Sequence, residues 1–331
     1  MSITKAWDVA YVRFSAPDLA AMRTFLVDFG MIPVEESAGR LIMRGYGPDP
    51  YVHVTELGAP GFAGFGIELL SLDDLHKLAA HDNATVEPIQ APGGGQMVRL
   101  RDPDGFVVDV VAGRAPADPV SAPAALPWNQ GGNYARQSKP RRVPAAPSKV
   151  QRLGHVVLNV SNFRASESWY KERFGFISSD EIQPVPGHGI GAFMRADRGD
   201  VPCDHHTLFL LDAPGPAPSG FMHSAFEVAD LDDLMAGHDY LAARGYDHQW
   251  GIGRHVLGSQ VFDYWRDPFG HEIEHWTDGD QFKATDGGSV AGLDALLGVQ
   301  WGMKMPPVPG MDGPRPARPR PCLHRQRIEL L

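Results

Sequence analysis

GRHVLGSQVFDYWRDPFGHEIEHW, residues 253–276, sets a tight turn between two short runs of strand-forming residues. In the Asp-Pro-Phe-Gly turn, Pro268 fixes φ and Gly270 is free to take a positive φ. VFDYW before it is β-branched and aromatic, and HEIEHW after it is closed by TDGD. The reading is a hairpin, with Tyr264 on the entering strand and Glu274 on the returning one. His271 to His275 also spells H-E-x-x-H, the zinc protease pattern, but that chemistry needs both histidines on one helical face. The run between the two turns is short for a helix and ordinary for a strand. On a strand, Glu272, Glu274 and Trp276 share one face while His271, Ile273 and His275 share the other.

Outward from this hairpin, the chain repeats itself. AYVRFSAPDLAAMRTFLVDFGM near the start matches GHVVLNVSNFRASESWYKERFGF later, each a strand, a turn and a helix. Both helices end at Phe-Gly, where Gly30 and Gly175 suit a left-handed C-terminal residue. GFGIELLSLDDLHKLAA matches HSAFEVADLDDLMAGHDYLAARGY, a strand followed by a helix opening at Leu-Asp-Asp. VRLRDPDGFVVDVV matches FDYWRDPFGHEIEHW and supports the strand reading of HEIEHW. The expected fold class is α+β, built of repeated βαβββ modules. The expected divisions are residues 1–113, a Pro/Ala-rich linker over 114–149, a second repeat over 150–282, and a C-terminal segment over 283–331. In that last segment SVAGLDALLGVQWG reads as a helix, and the Pro/Arg-rich remainder reads as disordered.

The 331 residues carry a net charge of −10, with 43% hydrophobic and 21% charged residues. That balance suits a soluble globular protein and argues against a nucleic-acid surface. No apolar run is long enough to cross a membrane, and the N-terminus has no signal-peptide core, so a cytoplasmic protein is expected. Cys203 and Cys322 are poor candidates for a disulfide, since Cys322 falls in the tail. Most of the histidines lie between His155 and His275, a first pointer to a metal site.

Aligning the repeats exposes where they differ. His155 matches Tyr11, His223 matches Gly64, and Glu274 matches Asp109. The second copy thus has two imidazoles and one carboxylate on three separate strands. Singly, each is more often a structural side chain. Together they form the set that favours non-haem Fe(II), with Mn(II) as the alternative. His205 and His206 precede the apolar strand TLFLL; neighbours on a strand face opposite ways, so one is expected outside and His206 inside. His206 is a candidate general acid/base because imidazole titrates near neutrality. Tyr264 is a candidate hydrogen-bond donor to a phenolic oxygen, or equally a packing residue. Phe193, Trp250, Phe262 and Trp276 are candidates for shaping a pocket.

These residues resemble the vicinal oxygen chelate (glyoxalase/bleomycin-resistance) superfamily, and from about Trp7 to Phe282 the type I extradiol catechol dioxygenases. The signature residues Gly253, His255, Tyr264, Asp267, Pro268, Gly270 and Glu274 occur in the family's order. Asp263 departs from it, since the family has an apolar residue before the tyrosine; a different pocket wall is the expected reason. The resemblance implies curved mixed sheets around a metal, with the site in the second repeat only. It implies His155, His223 and Glu274 as iron ligands, His206 as acid/base, and His255 and Tyr264 as contacts to substrate hydroxyls or oxygen. It further implies ring cleavage of a small aromatic diol by O2 beside, not between, the hydroxyls, and a homo-oligomer. A glyoxalase-type isomerase or transferase, a non-catalytic binding member, and a dioxygenase of hydroquinones or trihydroxylated rings remain as alternatives.

Overall fold

The computed structural model describes residues 2–121, 126–215 and 217–305. The Pro/Arg-rich stretch from 306 onward, Cys322 included, lies outside the described residues. Among the described residues, no helix is long and apolar enough to cross a membrane.

The first half opens with β1 (Ala6–Ala16), α1 (Leu19–Asp28), β2 (Ile32–Glu36), β3 (Arg40–Arg44) and β4 (His53–Leu57). It continues with β5 (Gly61–Leu69), α2 (Leu72–His81), β6 (Val86–Pro88), β7 (Gln96–Arg101) and β8 (Val107–Ala112). The second half repeats this as β9 (Val150–Val160), α3 (Phe163–Phe174), β10 (Ile177–Ile182), β11 (Gly191–Arg195), the short β12 (Cys203–Asp204) and β13 (Leu208–Asp212). Then come β14 (Gly220–Val228), α4 (Leu231–Ala243), β15 (Asp247–His255), β16 (Val261–Arg266) and β17 (Glu272–Thr277). β18 (Gln281–Phe282), β19 (Ser289–Ala291), α5 (Leu293–Leu296) and β20 (Val299–Gly302) end the described chain.

Each half therefore holds two βαβββ modules, where the aligned repeats alone left the number open. The missed strands, β2 to β4 and β10 to β12, carry no motif shared between the halves, whereas β13 is the apolar strand TLFLL read from the sequence. The sheet orders are β2-β3-β4-β1-β5-β8-β7-β6 and β19-β10-β11-β13-β9-β14-β17-β16-β15-β20, so the two modules of a half mirror each other across a central antiparallel pair. The helix starts follow local chemistry: Asp18, Ser71, Asn162 and Asp230 each accept a bond from a backbone N–H in the first turn. Gly175 closes α3 at φ 66, the left-handed stop expected from Phe-Gly.

The expected helix over SVAGLDALLGVQWG shrinks to the four residues of α5. Gly292 gives it no side-chain cap, and the flanking residues find strand partners instead. Ser289–Ala291 pairs with Asp180–Ile182, and Val299–Gly302 pairs with Gly253–His255. The 114–149 stretch forms no regular helix or strand among its described residues. It crosses between the halves and is pinned by Arg141, which pairs with Asp230 and Asp232 at the start of α4. One apolar core runs through both halves, including Phe25 and Phe29 of α1, Phe65, Tyr170, Phe226 and Trp265.

Candidate metal centre

The site-bearing strands are neighbours. Across β13-β9-β14-β17-β16-β15, the side chains in sequence are His206 (just before β13), His155, His223, Glu274, Tyr264 and His255. Register puts them on one face. Tyr264 lies directly opposite Glu274, and His155 and His223 flank the central pairing of β9 with β14. HEIEHW is strand, so Glu272 and Glu274 turn to this face while His275 points away and bonds the Phe29 carbonyl at 2.7 Å. The protease pattern is thereby split between two faces of a sheet.

The structure brings His155, His223 and Glu274 together: one ligand atom from each lies within 4.8 Å of the others. Nε2 of His155 is 3.3 Å and Nε2 of His223 is 3.4 Å from the same Glu274 oxygen. These separations suit three donors around one ion at about 2.1 Å. Glu274 is fully buried, yet neither of its oxygens has a properly oriented hydrogen-bond donor. A bare buried carboxylate is costly, and a cation shared with two imidazoles is the natural compensation. Burial works against its charge, but His155 and His223 hold its carboxyl far below the ordinary range. Burial pushes the His155 imidazole down, towards the neutral form that can ligate. The donor set therefore fits a divalent metal.

His255 and Tyr264 stand beside the triad. Nε2 of His255 is 3.2 Å from the Tyr264 hydroxyl and 3.9 Å from the other Glu274 oxygen. His255 ends β15, not the strand of Tyr264, and stacks on Phe262 at 4.0 Å. Burial lowers its pKa to about 4 and raises that of Tyr264 well above the ordinary phenol value. His206 faces inward as expected, its ring 4.0 Å from that of His155. His205 is the correction: it is buried as well, at 2% exposure, not turned to solvent. Its Nε2 bonds Asp180 at 2.7 Å, and its Nδ1 lies 3.1 Å from Nδ1 of His206. Asp180 is held by Ser289 of β19. With the His205 Nε2–H donated to Asp180, Nδ1 of His205 is bare and accepts the N–H from Nδ1 of His206. This arrangement of donors leaves Nε2 of His206 as the free base, a tautomer assigned from the hydrogen-bond network. Asp180 carries no motif signal in sequence; only the register of β10 reveals it.

A cavity of about 150 Å³ opens on this face, comparable to an apolar cavity that holds benzene. Phe193, Phe209, Met222, Trp250, Leu257 and Leu296 supply its apolar walls. Phe193 and Trp250 thus line it as expected. Phe262 and Trp276 do not: Phe262 backs His255 and Trp250, and Trp276 lies behind His155. Asp263 is also not a wall residue. Strand alternation turns it to the opposite face of β16, beneath α4.

The first half shows what these positions become without ligands. Tyr11, Gly64 and Asp109 occupy the matching places on β1, β5 and β8. Asp109 is buried and engaged by the Tyr11 hydroxyl at 3.2 Å, Arg13 at 3.1 Å and Arg99 at 2.7 Å. Arg99 lies opposite Asp109 as Tyr264 lies opposite Glu274. Guanidinium groups stand where a cation would.

The model of the Glyoxalase/Bleomycin resistance protein/Dioxygenase superfamily matches residues 152–275. Metapyrocatechase 2 of Cupriavidus necator is 34% identical over 211 residues, 62% of this chain and 60% of that protein. An iron-dependent extradiol dioxygenase of Rhodococcus jostii (strain RHA1) is 26% identical over 304 residues, covering 83% of this chain and 90% of its own length. Among solved structures, the Mn(II)-bound glyoxalase from Novosphingobium aromaticivorans aligns with a TM-score of 0.74 at 22% identity, over 93% of this chain and 97% of that one. The mirrored module pairs and the match over the second half lead to one conclusion: residues 152–275 form a domain of the Glyoxalase/Bleomycin resistance protein/Dioxygenase superfamily.

Proposed function

We propose that the chain is an extradiol ring-cleaving dioxygenase using Fe(II), with Mn(II) as the alternative, held by His155, His223 and Glu274. The observation that carries this reading is Glu274, a buried carboxylate without hydrogen bonds, facing two imidazoles at the floor of a ring-sized cavity. The iron-dependent and catechol-cleaving names of the relatives support it. When bound there, the metal supplies vacant positions at which a vicinal diol and O2 are held side by side. The protein's own groups do the rest. The free Nε2 of His206 takes a hydroxyl proton from the diol and returns it later to the reacting oxygen. Tyr264 donates a hydrogen bond towards the diol oxygens, and His255 orients that hydroxyl from 3.2 Å. Phe193 and Trp250 confine the ring and exclude water. The first half, residues 1–113, serves as a metal-free scaffold.

The cavity also bears on the substituent. Among the described residues, no lysine or arginine lines it, and Glu272 adds a carboxyl whose pKa burial raises. An anionic substituent would be buried there without a partner, at a cost of several kcal/mol. The substrate is therefore a catechol with an uncharged, apolar substituent. The test is anaerobic loading with Fe(II), addition of a catechol panel, then air. One O2 consumed per yellow ring-opened product supports the proposal. Loss of substrate without O2 uptake would point to glyoxalase-type isomerisation instead.

A further inference from the structure

We propose that His238, His248 and Asp263 form a second metal site, for a zinc-type divalent cation, on the face of the sheet turned away from the cavity. The starting point is the one mismatch in the family signature. Asp263 stands where an apolar residue is expected, and it is wholly buried. A lone carboxylate there would be unaffordable to the fold, and the chain has gathered partners around it. Nδ1 of His238, from α4, is 3.1 Å from its carboxylate. Nε2 of His248, from β15, is 2.9 Å from the same Oδ1. The three ligand atoms all lie within 4.8 Å of one another.

Two nitrogens and one carboxylate oxygen at these separations are a donor set for Zn²⁺ or Co²⁺ with tetrahedral preference. The fourth position is open to water, because both histidine side chains keep 24% exposure. Trp265 donates its indole N–H to Oδ2 at 2.6 Å, which fixes the carboxylate and leaves Oδ1 towards the imidazoles. In the absence of a cation a proton does the same work: Asp263 raises the affinity of His238 for one through their hydrogen bond. The site would clamp α4 to the β15–β16 pair, on the reverse of the strand that carries Tyr264.

The test is titration with Co²⁺ alone, followed by its visible ligand-field bands, on the full chain. Wild type is expected to bind two ions per chain and Glu274→Gln one, with the bands of four-coordinate cobalt. Adding His248→Ala to Glu274→Gln should remove that ion; His238→Ala, which lies on the helix surface, provides a second and milder variant. Circular dichroism checks that each variant is folded. Excess Zn²⁺ should raise the melting temperature of Glu274→Gln and leave that of the double variants unchanged. No cobalt on folded Glu274→Gln, or cobalt that persists with unchanged bands in both double variants, would overturn the proposal.

Discussion

In the proposed centre Glu274 would hold the metal and His206 would use it. Replacing Glu274 by Gln removes the carboxylate that faces both His155 and His223, so metal analysis of the purified variant should find the iron gone and O2 uptake with it. His206→Ala leaves the three ligands in place. Iron content should stay at the wild-type level while kcat falls by about 10²- to 10⁴-fold, the usual worth of a positioned acid/base. Asp180 acts one step further back, through His205. Asp180→Asn is expected to keep iron and KM and to lower kcat by roughly ten- to a hundredfold; an unchanged kcat would leave the His205–Asp180 bond as mere packing. The sequence singled out His206 by strand alternation, yet both histidines lie in the bend between β12 and β13, outside either strand. It could not show the fate of His205, which packs on Phe282 of β18 and is tied through Asp180 to Ser289 of β19, elements too short to announce themselves.

At the scale of elements, the hairpin of β16 and β17 was readable because its turn chemistry and its repeat in the first half agree. Helices α1 to α4 were readable from their caps. The terminal β19-α5-β20 unit was not: its strands exist only through pairing with β10 and β15, and its apolar residues serve the cavity rather than a helix face. Leu296 makes the point, lining the cavity from α5. Leu296→Arg should give the cavity the cation it lacks. A carboxylated catechol, turned over about a hundredfold less efficiently than an alkyl or aryl catechol by the wild type, should then gain in kcat/KM while the neutral substrate loses. Iron content should not move, since no ligand lies on α5.

At the scale of the whole molecule, the halves share their core and should unfold together. Phe29, at the end of α1, stacks on His275 at 3.6 Å and accepts its hydrogen bond. Phe29→Ala is expected to cost about 3–5 kcal/mol and to lower the melting of both halves in a single calorimetric transition. The same interface makes stability sensitive to acid. His53 of the first half is buried near Asp267 and His271 of the second, and burial lowers its pKa from 6.5 to about 3. Below pH 6.5 the unfolded chain takes up a proton that the folded chain refuses, so stability falls with pH down to about 3, by roughly 1.4 kcal/mol per pH unit from this group. His53→Leu should flatten the slope of melting temperature against pH between 6.5 and 4.5; an unaltered slope would assign the acid sensitivity elsewhere.

Gly64 keeps the two halves of this architecture from being interchangeable. It sits where the second half has His223, with φ 131, and a Cβ there would meet the Val107 carbonyl oxygen at 2.5 Å. A histidine at that position would require β5 and β8 to be reshaped. Grafting the second half's donor set onto the first would therefore demand a new backbone path as well as new side chains.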